Sequence, residues 1–313
     1  MSNYFSLLLT RYRKDNGLTQ QEMVVYLCQQ TKLLSALDLG TLSRWENGRT
    51  TPPMEKRLLV LLTLGMCDEY FYLTAENQPI CIDNNPISKL LSNRFDTVNK
   101  LLMDFRYGFS TKHVRLKISS YDNAPDEVKA YTCYKNASYA QICHLLDAQI
   151  GCWQRDEHVL GFFVHASIND SIFFPLNRHV DDLENKLKLF LNKNLQANAF
   201  FVMDQINSLS IGFESSNLRV FLALLSKREY KKFYVCVNVP SFLKLALRLG
   251  GEIVGTYSTN EMNAAGMEHS QLVVFDSLKF ISNKSVFEFF ANVYNKLNRN
   301  SPELLKQLRE SIK

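Results

Sequence analysis

The sequence predicts an α+β protein that begins with an all-helical part, and three observations lead to that class. The chain has 313 residues, of which 46% are hydrophobic, and this length suits about two domains. The first 75 residues show helical spacing of apolar side chains. After a polar segment with two prolines, ENQPICIDNNP, helical and strand-like patterns follow one another. We therefore expect a helical domain at 1–75, a linker at 76–86 and a larger α+β domain at 87–313.

Local signals predict four helices in the N-terminal domain. The first covers residues 4–15 and ends before Gly17. The run Thr19–Glu22 has the Thr-x-x-Glu pattern of a capping box and begins the second helix. Asp38 is a suitable N-cap for a third helix, which Asn47-Gly48 closes. The Pro52-Pro53 pair precedes a fourth, strongly apolar helix that runs from Met54 to about Leu64.

The larger domain is predicted to contain both helices and strands. We expect helices at 88–105, 181–192, 217–227 and 242–249, and a last helix that Ser301 caps before Pro302. We expect strands at 113–120, 198–206, 233–239 and 271–275, a short strand after Gly250-Gly251, and a hairpin formed by 149–155 and 158–166.

Composition excludes several classes of protein. No apolar run approaches the ~18 residues of a membrane span, and the N-terminus lacks the pattern of a signal peptide, so we expect a cytoplasmic protein without membrane contact. Seven scattered cysteines favour free thiols over disulfides. Cys143, His144 and Cys152 match no zinc spacing, so we expect no metal site. A net charge of +5 is mild, so any DNA contact must depend on a few cations at suitable positions rather than on a large excess of positive charge.

The segment LDLGTLSRWENGR has two chemically different sides when it is drawn as a helix. Leu42 and Trp45 fall on one side, whereas Ser43 and Arg44 fall on another. A helix that only fills a core has no need of a Ser-Arg pair beside its apolar residues. This pattern therefore favours a helix that presents a polar edge to a long, negatively charged partner.

Three motifs, GLTQQEM, LSRWENG and the TPP before an apolar helix, resemble the lambda-repressor/Cro-like (XRE family) helix-turn-helix domain over about residues 4–65. In that family the third helix enters the DNA major groove. The resemblance implies base contacts by Leu39, Gly40, Ser43 and Arg44, phosphate contacts by Gln20, Thr41, Asn47 and Arg49, and an ion pair between Arg13 and Glu46. Double-stranded DNA is thus the expected partner.

Two departures from the family pattern qualify this expectation. About eight residues around 29–36 are inserted between the second and third helices, and we expect Leu33, Leu34 and Leu37 to pack this insertion against the domain. At Leu39-Gly40 many relatives carry amide side chains. Arg44 is therefore left as the main direct reader of base edges.

The larger domain faintly resembles a GNAT acyltransferase in its late strand–helix–strand order around Asn238 and Gly250-Gly251. That family binds the acyl-CoA pyrophosphate on a basic, Gly-rich loop at a helix N-terminus. Here the corresponding stretch, Ser208–Asn217, has one glycine and no basic residue. We therefore expect no acetyl transfer, no catalytic residues and no cofactor. A self-cleaving repressor is excluded as well, because the single Ala-Gly at 265–266 lies too close to the end of the sequence for a peptidase domain to follow.

Together these patterns predict a DNA-binding transcriptional regulator that is not an enzyme. Its C-terminal domain is expected to form a homodimer or to contact a small-molecule or protein effector. The alternative is an acyltransferase tethered to DNA by the N-terminal domain.

Overall fold

The computed structural model describes residues 3–77, 85–93, 95, 114–135, 142–155, 158–172, 196–207, 210–258 and 269–312. The protein is of the α+β class. Residues 3–77 form the helices α1 (Tyr4–Asp15), α2 (Gln20–Gln30), α3 (Leu39–Glu46), α4 (Met54–Thr63) and α5 (Cys67–Asn77). The first four agree with the sequence prediction, whereas α5 was not predicted.

The predicted local signals begin and end these helices. Thr19 Oγ1 accepts from the backbone N–H of Glu22 at 3.2 Å, and Glu22 accepts from the backbone N–H of Thr19 at 2.7 Å, which confirms the capping box. Asp38 accepts from the backbone N–H of Thr41 at 2.7 Å and so caps α3. Gly48, with a φ of 67°, provides the left-handed residue that ends α3.

The inserted segment between α2 and α3 forms a short 3₁₀ turn, Lys32–Leu34, rather than an extension of α2. Leu34 and Leu37 are buried. The Cys28 thiol lies 3.2 Å from the carbonyl oxygen of Leu34, which holds the turn against α2. The expectation that Leu33 also packs inward is wrong, because this side chain is 68% exposed. Leu33 and Leu34 are neighbours in a turn with about three residues per turn, so their side chains point in different directions.

A seven-stranded sheet forms the centre of the larger domain. Its strands are β1 (Arg115–Ser120), β2 (Gln149–Arg155), β3 (His158–Ile168), β4 (Ala199–Asn207), β5 (Lys232–Val237), β6 (Glu252–Ser258) and β7 (His269–Asp276). They lie in the order β1-β2-β3-β4-β5-β7-β6. Neighbours are antiparallel except for β4 and β5, which pair in parallel over Ala199–Val202 and Lys232–Val235. The predicted hairpin is present as β2 and β3.

The larger domain also contains the helices α6 (Asp126–Lys135), α7 (Ser210–Ser226), α8 (Pro240–Arg248), α9 (Ser277–Ser282), α10 (Lys284–Asn300) and α11 (Pro302–Glu310). Helix α7 begins seven residues before the predicted start at Asn217. Helices α6, α9 and α10 were not predicted. Ser301 precedes α11 as expected, but its side chain makes no capping hydrogen bond. Of the predicted helix at 88–105, residues 88–93 and 95 are described and helical, while the predicted helix at 181–192 lies outside the described residues.

Helix α5 joins the N-terminal helices to the larger domain through one hydrophobic core. Phe71 is fully buried, and its ring centroid lies 5.1 Å from that of Phe221 on α7 and 5.4 Å from that of Phe287 on α10. The ring of Tyr72 stacks on that of Tyr294 at 5.3 Å. The N-terminal helices are therefore packed directly on α7 and α10.

A polar contact supports the same arrangement at a second place. The guanidinium of Arg228, in the turn after α7, donates to the side-chain oxygen of Gln30 at 3.0 Å and to its carbonyl oxygen at 3.3 Å. The C-terminal end of α2 is thus attached to the larger domain. No helix in the described part of the chain is long and apolar enough to cross a membrane.

Candidate functional site

Helix α3 presents a mainly polar side to solvent and an apolar side to the core. Leu42 and Trp45 are buried, and the ring of Trp45 lies edge-on to that of Phe5 on α1. Of the positions expected to face bases, Leu39 is 44% exposed, Gly40 and Arg44 are exposed, and Ser43 is partly exposed. The structure therefore brings the four expected base-contacting positions to the outer side of α3.

Arg44 lies over the N-terminal turn of α3. Its Nη2 donates to the Oγ1 of Thr41 at 2.9 Å, and that hydroxyl donates to Asp38 at 2.8 Å. The backbone N–H of Thr41 lowers the pKa of the Asp38 carboxyl, which keeps it ionised beside the guanidinium. Thr41, expected to contact phosphate, is here a partner of both groups. Each Nη of the guanidinium carries two N–H groups, so Arg44 can keep its bond to Thr41 and still donate to a base.

Other cations surround the end of α3. Arg49 is exposed in the turn after Gly48, and its backbone N–H donates to the carbonyl oxygen of Arg44 at 2.9 Å. The Nζ of Lys56 on α4 lies 5.5 Å from the centre of the Trp45 ring. Asn47 is exposed, with its amide 3.4 Å from the Ser43 hydroxyl. The outer side of α3 and the following turn therefore form a polar surface with positive charge at its C-terminal end.

The orientation of α3 is set by a hydrogen-bonded group at its last residue. The carboxylate of Glu46 accepts from the Nε and Nη2 of Arg13 at 2.6 and 3.1 Å. It also accepts from the side-chain amide of Gln20 at 2.7 Å. The Arg13 and Glu46 side chains are 18% and 3% exposed. The group links α1, α2 and α3, and it engages the Gln20 amide that was expected to meet a phosphate.

A cavity of about 410 Å³ lies in the larger domain where β4 and β5 separate. Their parallel pairing ends at Val202 and Val235, while β4 continues to Asn207 and β5 to Val237. Apolar side chains line most of the space, including Ile206, Val220, Phe242, Phe275, Phe289 and Phe290. Its size and lining are typical of a small-molecule site.

Asn207, at the end of β4, is the polar group that distinguishes this cavity. Both polar atoms of its amide are buried, and neither has a hydrogen-bond partner among the described residues. A Cβ atom at Gly212, in the first turn of α7, would lie 2.6 Å from the Oδ1 of Asn207. The lack of a side chain at Gly212 therefore allows this close approach. An amide in this state can orient a polar group of a ligand.

Sequence reasoning allowed for a small-molecule effector in the larger domain but assigned no residue to it, and so it did not locate this cavity. The lining residues come from β4, β5, β7 and five helices, and their apolar types do not differ from those of an ordinary core. One signal of a buried polar site was present in the sequence. Arg219 is a single cation within the apolar run LRVFLALL, and a charge inside such a run calls for a partner.

Comparisons with known proteins give little information about this chain. No protein-family model matches it, and no curated protein matches it. A solved structure that it matches is the crystal structure of malonyl-CoA decarboxylase from Rhodopseudomonas palustris, with 11% sequence identity and a TM-score of 0.28. The match covers 72% of this chain and 52% of the decarboxylase, so the chain spans about half the length of that protein.

This match corrects one prediction from the sequence. The expectation that the chain is not an enzyme is overturned, because the protein that it matches is an enzyme. At this TM-score, the likeness carries no argument about a reaction, a substrate or a cofactor of this chain.

Proposed function

We propose that this protein is a DNA-binding transcriptional regulator whose larger domain senses a ligand. The observation that carries the proposal is the outer side of α3. It combines small and polar residues with Arg44, while Leu42 and Trp45 anchor the opposite side in the core. A helix fixed in this way has the form of a recognition helix that lies in a major groove. The motifs shared with the lambda-repressor/Cro-like domain support the same function.

Arg44 and Arg49 are proposed to have different roles on DNA. Arg44 lies on the outer side of α3, where a guanidinium can donate to the O6 and N7 of a guanine. Arg49 lies in the turn that follows, where the chain would run along the phosphate backbone. The first contact discriminates between bases, whereas the second strengthens binding to every sequence.

The experiment that tests this proposal compares three single variants on DNA. A binding site is first selected from a random duplex pool, and affinities are then measured on that site and on one-base changes at several salt concentrations. Arg44→Ala should cost roughly 1–3 kcal/mol per half-site and relax the preference at one base pair. Arg49→Ala should weaken binding to all sequences alike and reduce the salt slope by about one unit.

Arg248→Ala provides the matched control, because it removes the same charge from an exposed position on α8. It should leave both discrimination and the salt slope unchanged. Selection that enriches no sequence, with no salt-dependent binding to duplex DNA, would reject the proposed function. If Arg44→Ala changed only the salt slope, Arg44 would be a phosphate contact and its role as a reader would be wrong.

Dimerisation is proposed because one module with one main reader makes few base contacts. Two modules would place their α3 helices about 34 Å apart, or a multiple of this distance. The edge strand β6 supports this arrangement, since Ile253 and Val254 are 47% and 42% exposed. Leu247 on α8, the helix that precedes β6, is 44% exposed. An exposed strand edge with apolar side chains is suited to pairing with a second copy.

The proposed sensing function depends on the position of α10. This helix contributes Phe289 and Phe290 to the wall of the 410 Å³ cavity, while Phe287 and Tyr294 pack against Phe71 of α5. A ligand that fills the cavity would therefore press on a helix whose other face supports the N-terminal helices. If the ligand binds more tightly when α10 is in one of two placements, it will shift the helix to that placement and so change the affinity for DNA.

A second candidate function, an acyl-CoA-dependent transferase tethered to DNA, is favoured by the place of the cavity. It opens where the parallel strands β4 and β5 separate, and α7 begins beside it at Ser210. The GNAT family, to which the sequence bears a remote resemblance, binds acyl-CoA on the loop before the corresponding helix. Calorimetric titration with acetyl-CoA separates the two functions. Tight binding followed by acetylation of an added amine would establish the transferase, whereas a small apolar ligand that binds the cavity and shifts DNA affinity would establish the sensor.

A further inference from the structure

A second cavity contains a buried positive charge without a negative partner. Arg219 on α7 is 2% exposed. Its guanidinium donates to the hydroxyl and carbonyl oxygens of Ser311 at 3.0 and 3.2 Å, to the side-chain oxygen of Gln149, and to the Nδ1 of His165 at 2.9 Å. All these partners are neutral, and in the described part of the chain no carboxylate pairs with Arg219. Burying such a charge is costly unless an anion compensates it.

His165 accepts one of these hydrogen bonds and carries its own proton on the other side of the ring. A guanidinium has no acceptor, so the Nδ1 of His165 must accept from Arg219 and carries no proton. The proton of the neutral ring therefore lies on Nε2. That atom is buried and has no hydrogen-bond partner among the described residues. Burial, together with the charge of Arg219, holds the pKa of His165 well below its ordinary value, so the ring remains a neutral N–H donor.

Arg219 and His165 line a cavity of about 300 Å³ between the sheet and the C-terminal end of α7. Apolar or aromatic walls are provided by Phe200 on β4, Ala223 on α7 and Tyr230 after it. Lys227 adds a second cation to the lining, and the exposed carboxylate of Asp147 also borders the cavity. The lining therefore includes two cations, Arg219 and Lys227, and one carboxylate, Asp147. Of the two cations, Arg219 is the buried one.

We infer that this cavity binds a small organic monocarboxylate. A guanidinium has five N–H groups, and the four contacts described above leave one of them, on Nη1. This N–H can donate to an oxygen of a carboxylate in a charge-assisted hydrogen bond. A single negative charge balances the single buried cation. The organic part of the ligand lies against Phe200, Ala223 and Tyr230, in a space that admits an acid of about the size of benzoate.

Calorimetric titration of the full chain with matched pairs of probes tests the inference. The probes are acetate, butyrate and benzoate, each compared with its neutral amide of nearly equal shape, and inorganic phosphate. At least one carboxylate should bind ten times or more tightly than its amide. Equal binding of acid and amide, binding of phosphate alone, or binding of no probe would overturn the inference.

Variants assign the binding to this cavity. Arg219→Gln removes the buried charge and should abolish carboxylate binding. Because this buried change can prevent folding, His165→Phe serves as the second variant, since it keeps a flat ring against Phe163 but removes the Nδ1 acceptor that positions the Nη1 of Arg219. His165→Phe should weaken binding by about ten-fold or more. Lys244→Ala, an exposed cation on α8, should bind as the unmodified chain does. Carboxylate binding that survives His165→Phe unchanged would place the ligand elsewhere and refute the site.

Discussion

The Arg13–Glu46 contact offers a direct test of how α3 is held in position. The carboxylate of Glu46 is 3% exposed and accepts from Arg13 and from Gln20. Replacing Arg13 with Met removes the cation while keeping most of the side-chain volume. It leaves an ionised carboxylate inside the domain with only one amide donor. This is the situation in which a buried ion pair is most costly to break.

The structure predicts unequal costs for the two partners. Breaking a buried pair costs about 3–5 kcal/mol, and the 18% exposure of Arg13 places Arg13→Met near the lower limit, at about 3 kcal/mol. Glu46→Gln should cost only about 1 kcal/mol, because the guanidinium still donates to the carbonyl oxygen of Leu18 at 3.0 Å and reaches water. The double variant carries no buried charge, and we expect it to cost about 2 kcal/mol. The coupling energy is then about 2 kcal/mol.

Urea unfolding of the four proteins, followed by tryptophan fluorescence, measures these free energies. Trp45 lies next to Glu46 in α3, so one of the two tryptophans in the chain reports on this helix directly. The affinity for selected DNA should fall together with stability in Arg13→Met, because α3 loses one of its contacts with α1. Additivity of the two single changes within about 0.5 kcal/mol would show that no coupling exists and would refute the reasoning.

Three further outcomes are expected. Phe71→Ala should lower the free energy of unfolding, measured in urea, by about 3–5 kcal/mol, because it opens the core shared by α5, α7 and α10. Phe71→Leu should cost much less. A loss below about 1 kcal/mol in Phe71→Ala would contradict a shared core. Burial lowers the pKa of His165 in the folded state, so the unfolded chain binds more protons below about pH 6.5. The free energy of unfolding should therefore be unaffected by this group above that pH and should fall by up to about 1.4 kcal/mol per pH unit as the pH decreases. His165→Phe should remove this part of the pH dependence. If urea unfolding at pH 5 and 7 showed the same pH dependence in the variant, this role of His165 would be wrong. Light scattering should find a dimer that Val254→Lys dissociates and Lys244→Ala does not, and a monomeric unmodified chain would rule out the proposed use of β6.

Much of the N-terminal architecture was predictable because its signals are local. The capping box at Thr19–Glu22, the N-cap at Asp38 and the left-handed Gly48 each act within a few residues. The apolar spacing that buries Leu42 and Trp45 also depends on one turn of helix. The α+β class followed from the change of pattern after residue 86. DNA binding by α3 stays a prediction from the motifs.

Other parts of the fold depended on contacts between distant segments. Helix α10 was missed although its apolar stripe is clear in the structure, and α7 was predicted to begin too late because Gly212 and three serines precede its apolar run. Gly212 lies inside the helix, and its lack of a side chain leaves room for Asn207 of β4, a long-range contact that the local pattern does not show. The exposure of Leu33 likewise depends on the turn that the inserted segment adopts. Local propensity cannot report such packing.

The sequence by itself determined where the first four helices begin and end and which side of α3 is buried, because these features depend on residues within one or two turns. Only the tertiary structure decided that the helical part shares its core with the larger domain, and that β4 and β5 separate to form a cavity. It also decided that Arg219 meets His165, which is 54 positions away in the chain. A sheet in which β4 pairs with β5 across an intervening helix brings such residues together. No periodic pattern in the sequence indicates that Arg219 and His165 lie close together.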